Sequence, residues 1–248
     1  MPIALISGAS SGFGLATAKL LSQNGYDLIL IARREEKLKE LAATLTTKVY
    51  YKSIDVRDLS QIKDLFNNLP DDFKKIDILI NNAGGALGME TVDKADLEDW
   101  DIMIDANIKG LLYLTRNTVP YMITNNSGII INIGSVAGHA PYKGGNVYGA
   151  TKAFVSQFSK NLRADLHGTN IKVTCIEPGM AETEFSFTRF KGDRTKAASV
   201  YQGMRPLVAE DIAETILWVI QRPNHVNIDN IEIMPTDQTW GGLTVNRK

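Results

Sequence analysis

Apolar residues along the chain follow two alternating rhythms. Short runs rich in aliphatic and β-branched residues fall at 3–7, 27–32, 48–53, 76–80, 128–134, 171–176 and 228–234 and predict strands. Longer stretches lie between them, near 12–24, 35–46, 59–68, 97–124, 147–167 and 209–221, and in several of these apolar positions return with a helical period. In the first helix Leu15, Ala18 and Leu21 recur three apart, and Ala16 and Leu20 widen that face. In the last, Ile212, Ile216, Val219 and Ile220 share one stripe. Ser60, Asp96 and Asn146 stand near helix starts and suit capping of the free N–H groups there.

Strand–helix alternation implies parallel strands joined by right-handed crossover helices. The runs Leu28-Ile-Leu-Ile31 and Ile129-Ile-Ile131 are apolar on both faces, as a sheet covered on both sides requires. No linker, repeat or low-complexity stretch interrupts the pattern. The expected architecture is therefore α/β, a single doubly wound domain over residues 1–248. The stretch from about Gly179 to Met204 has weak periodicity and several charges, and predicts a substrate flap at about 180–204.

Composition narrows the function. Lys+Arg number 27 against 28 Asp+Glu, so there is no basic surplus for a nucleic acid or an anionic membrane. No apolar run approaches the ~20 residues of a membrane span. The opening Met-Pro-Ile-Ala-Leu-Ile-Ser lacks a basic region and reads as a strand, not a signal peptide. A single cysteine, Cys175, excludes an intrachain disulfide and reads as a core thiol. A reducing, cytoplasmic location is expected. No motif calls for a metal.

The first strand leads directly into Ser7-Gly-Ala-Ser-Ser-Gly-Phe-Gly14 and a helix. Glycines at 8, 12 and 14 let the backbone turn sharply and approach a pyrophosphate, with the helix N-terminus supplying free N–H groups. A glycine triplet alone is a weak signal; its place after the first strand of an alternating chain strengthens it. An NAD site usually carries an acidic residue at the end of the second strand. Here Arg33 and Arg34 follow Ala32 instead. A ribose 2′-phosphate suits arginine, so NADP(H) is expected over NAD(H). The same two residues would also serve as solvated charges opening a helix.

Tyr148 and Lys152 are four apart at the start of a helix and share a face. Ser135 ends the preceding strand, where open α/β sheets bind ligands. Removing hydride from an alcohol carbon requires the hydroxyl proton to leave too. A phenol, with a reference pKa of about 10, is a poor base unless cations favour its phenolate. Lys152 and a nicotinamide ring would supply them, and Ser135 would hydrogen-bond the substrate oxygen. Tyr-x3-Lys by itself is nearly worthless as evidence, since Tyr51 and Tyr142 show that tyrosine is not scarce. The combination with the glycine cradle and the strand-end serine carries the weight.

With Asn81-Asn-Ala-Gly84, the thirteen-residue spacing from Ser135 to Tyr148, and Pro178-Gly179, these segments resemble the short-chain dehydrogenase/reductase family across essentially the whole chain. The resemblance implies a Rossmann fold with a seven-stranded parallel sheet in the order 3-2-1-4-5-6-7. It implies a catalytic tetrad of Asn107, Ser135, Tyr148 and Lys152, with Asn107 holding a water that links the lysine to solvent. The cofactor would be held by the loop from Gly8 through Ser10, Ser11, Gly12 and Phe13 to Gly14. Asp55 and Val56 would meet the adenine, and Asn82, Ala83 and Gly84 the ribose side. Lys152 and Tyr148 would flank the nicotinamide ribose, and Pro178, Gly179 and Thr183 the carboxamide and phosphate region. A homotetramer packed through the two long helices is also implied.

Within the family, Gly144–Phe154, Leu162–Gly168, Thr183–Ser186 and Arg189–Asp193 are similar to the NADP-dependent 3-hydroxy acid dehydrogenases, which act on serine and related acids and reduce malonic semialdehyde. The run 178–183 is one residue shorter than that subgroup's. A 3-hydroxy acid needs a cation for its carboxylate, and Arg189 is the candidate, beside Ser135 and Tyr148 at the reacting oxygen; a solvated flap charge is its plainer reading. Two other functions stay open: a reductase of another small ketone, aldehyde or 3-oxoacyl substrate, and a protein that binds NADP without turnover. An intact tetrad argues against the last.

Overall fold

The computed structural model describes residues 1–240; residues 241–248, included above in the single domain, lie outside the described residues. Seven strands, β1 (Ile3–Ser7), β2 (Asp27–Ala32), β3 (Val49–Ser53), β4 (Ile76–Asn81), β5 (Gly128–Ile133), β6 (Ile171–Pro178) and β7 (Asn230–Ile233), form one sheet. Its order is β3-β2-β1-β4-β5-β6-β7 and every pairing is parallel. The helices are α1 (Gly12–Gln23), α2 (Glu35–Thr44), α3 (Leu59–Asn67), α4 (Leu97–Ile104), α5 (Leu111–Thr124), α6 (Asn146–Asp165), α7 (Glu184–Arg189), α8 (Arg194–Ser199) and α9 (Ala209–Ile220).

The strands are apolar on both faces because both faces are covered. Along β2, Leu28 and Leu30 enter a core shared with Ala18 and Leu21 of α1 and Ile212 and Ile216 of α9. Ile29 and Ile31 enter the opposite core, against Ile62 and Leu65 of α3, Leu114 of α5 and Leu162 of α6. All four β2 residues are fully buried. Each contributes about 1.5–3 kcal/mol of hydrophobic stabilisation. Cys175 is buried as expected, and burial, first of all, pushes its thiol up to about 12.

Three local expectations differ from what forms. The 97–124 stretch is unbroken but contains a π-helical segment, Asp105–Gly110, between α4 and α5. The cap of α3 is Asp58, whose carboxylate accepts from the Ser60 and Gln61 amides; Ser60 lies inside the helix. Asn146 is the first residue of α6, following Gly145, and its side chain donates instead to the Glu90 carbonyl at 3.1 Å. Asp96 caps α4 as expected.

The flap region is not a bare loop. Thr183 caps α7 by accepting from the Phe185 amide, and Asp193 caps α8 by accepting from Lys196. Each helix has six residues, under two turns, too short for a 3.6-residue period to show. Among the described residues no helix is long and apolar enough to cross a membrane.

Candidate active site

Strand order reverses between β1 and β4, and the chemistry-bearing residues collect beyond the C-terminal ends of the strands beside that point. Beneath them lies a buried amide network. Asn81 donates to Asn132 at 2.8 Å and to Thr115 at 3.0 Å, and Asn132 donates to Ser159 at 2.9 Å. The network ties β4 and β5 to α5 and α6, so the ends of the two central strands are fixed relative to the helices that carry side chains into the site.

The glycine loop is a backbone construction. Gly8 and Gly12 have φ of +69° and +51°, a region closed to most side chains. A Cβ on Gly14 would collide with the Gly8 carbonyl, so the third glycine lets α1 close onto the loop. Asn82 Nδ2 donates to the Ser7 carbonyl at 2.9 Å, and Ser7 Oγ accepts from the Asn82 and Ala83 amides at 3.0 Å. The end of β4 thus braces the loop, which gives Asn82 a structural task beside the one implied for it. Ser11 stands at the N-cap of α1 without a side-chain cap bond. The first-turn amides are therefore free of side-chain caps, in a cradle with no Cβ, and fit a pyrophosphate.

The two arginines after β2 divide. The Arg33 guanidinium is exposed and makes no hydrogen bond or ion pair among the described residues. Arg34 is engaged: Nε and Nη2 donate to Ser10 Oγ at 3.2 and 3.1 Å, and Nη1 donates to Glu184 at 2.8 Å. Asp55 is bound by Arg57, chiefly through a side-chain hydrogen bond that holds its carboxyl below the usual range. Val56 is buried, and a Cβ on Gly110 of the π-helical segment would press into it.

Ser135 follows β5 and opens a short 3-10 turn, Val136–Gly138; its Oγ accepts from the Ala137 amide at 3.1 Å and donates to the Pro178 carbonyl at 3.4 Å. Tyr148 and Lys152 lie on the buried face of α6. Lys152 Nζ donates to the Ile133 carbonyl at 2.8 Å and lies 5.9 Å from the centre of the Tyr148 ring. Asn107 sits in the π-helical segment, where an irregular turn often marks a functional position. Its Nδ2 donates to the Gly85 carbonyl at 3.0 Å and to Thr151 at 2.9 Å, and its Oδ1 accepts from the Gly85 amide at 2.8 Å. Gly84, with φ of +151°, leaves room for that amide. Asn107, Ser135, Tyr148 and Lys152 are thus carried by the π-helical segment before α5, the turn after β5, and α6.

Burial dominates the titration of this group. It pushes the Tyr148 phenol up to about 12; the Ser135 hydroxyl, then the Arg189 charge, pull against it. Burial brings the Lys152 ammonium down to about 8. The lysine was expected to favour the phenolate. In this structure its ammonium is turned to the Ile133 carbonyl, and Ser135 and Arg189 are the groups that lower the phenol.

Arg189, at the end of α7, is a buried pocket residue rather than a solvated flap charge. Nε donates to the Gly88 carbonyl and Nη2 to the Tyr142 hydroxyl, both at 3.0 Å, leaving Nη1 without a partner among the described residues. The guanidinium carbon lies 5.7 Å from the Tyr148 ring centre and 5.4 Å from that of Tyr142. Ala86, Met103 and Phe185 pack around Tyr148 as an apolar wall. Thr183, besides capping α7, faces Gly12: a Cβ there would be 3.5 Å from its Cβ. Gly179 is held by its amide to the Ile233 carbonyl at 2.8 Å.

The sequence assigns no site role to Tyr142 or Tyr201, nor to Glu184 and Phe185 individually, although the last two lie in the Thr183–Ser186 segment. Tyr201 bonds Ser186 at 2.7 Å and the Ala181 carbonyl at 2.8 Å, pinning α7 to the end of β6. None of these residues sits at a fixed spacing from a motif; only the adjacency of Glu184 and Phe185 to Thr183 could have drawn attention to them. Apart from this site, His139 pairs with Glu232 at 3.0 Å and lies 3.9 Å from buried Glu177. This cluster could hold a metal ion by geometry, but the His139–Glu232 pairing already accounts for its two exposed members.

The chain as a whole is similar to known proteins. The short chain dehydrogenase family pattern matches residues 2–193. The NADP-dependent 3-hydroxy acid dehydrogenase YdfG of Escherichia coli (strain K12) is 51% identical over 247 residues, covering 99% of this chain and 100% of the relative. Serine 3-dehydrogenase of Rhizobium radiobacter is 47% identical, covering 98% of each chain. A solved structure described as the closed form of serine dehydrogenase complexed with NADP+ superposes with a TM-score of 0.98 at 51% identity, over 99% of this chain and 100% of the other.

Proposed function

The chain belongs to the short-chain dehydrogenase family, and from that premise we propose that it is an NADP-dependent oxidoreductase acting on a small 3-hydroxy acid of the serine type, or on its semialdehyde or keto form. One observation carries the substrate class. A buried arginine, Arg189, lies over the proton-transfer tyrosine with Nη1 unpaired among the described residues, where a carboxylate can take it while the hydroxyl lies at Tyr148 and Ser135. The activities for which the relatives are named, on 3-hydroxy acids with NADP and on serine, agree with that chemistry.

When bound, the nicotinamide cofactor supplies the hydride acceptor or donor. The protein's own residues do the rest. Ser135 Oγ hydrogen-bonds the reacting oxygen and stabilises charge developing there. Tyr148 takes the hydroxyl proton in oxidation and returns it in reduction, which such acid–base help makes roughly 100- to 10,000-fold faster. Lys152, its ammonium brought down to about 8 and held by the Ile133 carbonyl, stands ready to exchange a proton near the Tyr148 ring, and Asn107 fixes the Gly85 turn and Thr151 of α6. The apolar wall of Ala86, Met103 and Phe185 excludes water from the hydride path. Arg33 and Ser10 would hold the 2′-phosphate, together with Arg34, which already bridges Ser10 and Glu184.

The reading extends to one catalytic domain over residues 1–248, a cytoplasmic location and a homotetramer joined through α4–α5 and α6. Light scattering after size exclusion tests the oligomer. The decisive assay follows NADPH at 340 nm with serine and NADP+ in one direction and malonic semialdehyde in the other. The expected outcome is turnover in both directions and a clear preference over NAD+. Turnover confined to uncharged ketones would replace the hydroxy-acid reading with that of a general carbonyl reductase.

A further inference from the structure

Helix α7 carries an opposite charge at each end. At its start, Glu184 Oε2 accepts from Arg34 Nη1 at 2.8 Å and Oε1 accepts from Lys37 Nζ at 3.0 Å. These partners are 150 and 147 residues away in sequence, on the segment that follows β2. At its end, Arg189 reaches Gly88, Tyr142 and the face of Tyr148. Arg34 in turn grips Ser10 in the glycine loop. A continuous polar path therefore runs from the cradle through Arg34 and Glu184, along α7, to the cation over the proton-transfer tyrosine.

Charge counting gives the path a direction. Arg33, Arg34 and Lys37 supply three positive charges and Glu184 removes one, leaving a balance that matches the roughly −1.5 to −2 of a phosphate monoester at pH 7. Exposed ion pairs are weak on their own, mainly because two long side chains must be ordered to form them. The Arg34–Glu184 pair is nearly half exposed on both sides. A phosphate that already fixes the Arg34 guanidinium removes much of that ordering cost, so the pair strengthens when a 2′-phosphate is present. With a bare 2′-hydroxyl, the half-exposed Arg34 and Lys37 pairs with Glu184 carry their full ordering cost.

We propose that Glu184 is a positioning residue for cofactor specificity: through Arg34 it makes the seating of α7, and so of Arg189 over Tyr148, depend on a 2′-phosphate in the cradle. NADP is then selected twice, once where its phosphate binds and once at the opposite end of α7, where the substrate carboxylate is held. The inference rests on the proposed function, because it places a dinucleotide and a hydroxy acid at the two ends of this helix.

The test is Glu184→Gln, with Glu184→Asp, Arg34→Ala and the Glu184→Gln/Arg34→Ala double variant. At saturating NADP+, Glu184→Gln is expected to raise KM for serine about fivefold and change kcat less than twofold, and Glu184→Asp to recover most of the loss. The double variant is expected to lose less than the product of the two single losses, since Arg34 and Glu184 share a contact, and the Lys37–Glu184 pair accounts for what Glu184→Gln adds to Arg34→Ala. Limited trypsin digestion of the flap, at exposed Lys191 and Lys196, reads the same latch without turnover. NADP+ is expected to slow cleavage of the native protein and to lose that effect in Glu184→Gln, with both proteins saturated as read by NADPH fluorescence and NADPH bound no more than about fivefold more weakly by the variant, since coupling between two sites is reciprocal. An unchanged KM for serine, multiplicative effects in the double variant, or equal protection of both proteins overturns the inference. So does tighter NADPH binding by Glu184→Gln, which would make Glu184 a competitor of the phosphate. Absence of serine turnover in the native protein would defeat the functional proposal instead, and the digestion would still decide whether the latch exists.

Discussion

The cofactor cradle and the substrate side of the cleft are built on different principles. The cradle is contiguous, residues 8–14, and is made of backbone: left-handed glycines, free helix amides and a brace from β4. The substrate side is assembled from side chains on separate segments. Ser135 follows β5, Tyr148 is on α6, Arg189 is on α7 and Tyr142 lies in the loop before α6. The contrast teaches where each region is vulnerable. A backbone cradle is broken by adding atoms, and its failure is structural. A side-chain cluster is broken by removing atoms, and its failure is chemical while the fold survives.

The largest effect is expected from the chemical side. Tyr148→Phe should lower kcat roughly 100- to 10,000-fold. The ring keeps its packing against Phe185, 5.6 Å between centroids, so the thermal midpoint should hardly move. Turnover within tenfold of the native enzyme would show that the phenol is not the proton carrier. Next, Arg189→Met keeps volume but removes the charge. Losing a charge-assisted hydrogen bond of about 1.5–3 kcal/mol should raise KM for serine roughly 10- to 100-fold, with little change for an uncharged alcohol. Equal losses on both substrates would mean that Arg189 only holds the loop through Gly88 and Tyr142.

Gly14→Ala attacks the other region. Its new Cβ meets the Gly8 carbonyl, a backbone atom with no easy escape. A destabilisation of about 1–3 kcal/mol is expected in urea titration, together with weaker NADPH binding. A stable variant with unchanged affinity would show that α1 need not close so tightly on the loop.

The smallest effect sharpens the electrostatics. The Ser135 hydroxyl is the foremost group opposing the burial that pushes Tyr148 up. Ser135→Ala removes a stabiliser of the phenolate, so the phenol's pKa rises. Oxidation needs the phenolate; the alkaline rise of kcat/KM should therefore shift to higher pH, with activity at neutral pH falling more than activity at high pH. A pH profile lowered equally at every pH would assign Ser135 to substrate binding alone.

Much of this was legible before any coordinates. Short continuous apolar runs and period-3.6 stretches located the seven strands and the longer helices to within a few residues, because a doubly covered parallel sheet demands runs such as Leu28–Ile31. The cradle was legible because glycine at a left-handed position is a local steric requirement, written in the residue itself. Tyr148, Lys152 and Ser135 were legible because one helix turn and one strand end bring them together.

What escaped depends on contacts between distant segments. The π-helical turn around Asn107 leaves no periodic trace, since one widened turn only offsets the stripe. The separate fates of Arg33 and Arg34, adjacent in sequence, are decided by Ser10 and by Glu184, which folding brings from 150 residues away. Whether Arg189 is a solvated charge or a buried guanidinium depends on Gly88 and Tyr142 arriving from two other loops. Steric rules and apolar periods act over a few residues, so the chain alone determined the sheet, the glycine loop and the shared helix face of Tyr148 and Lys152. Charge pairing and burial act through space whatever the separation along the chain, so tertiary structure alone decided which cations face the cleft and which are tied to the flap.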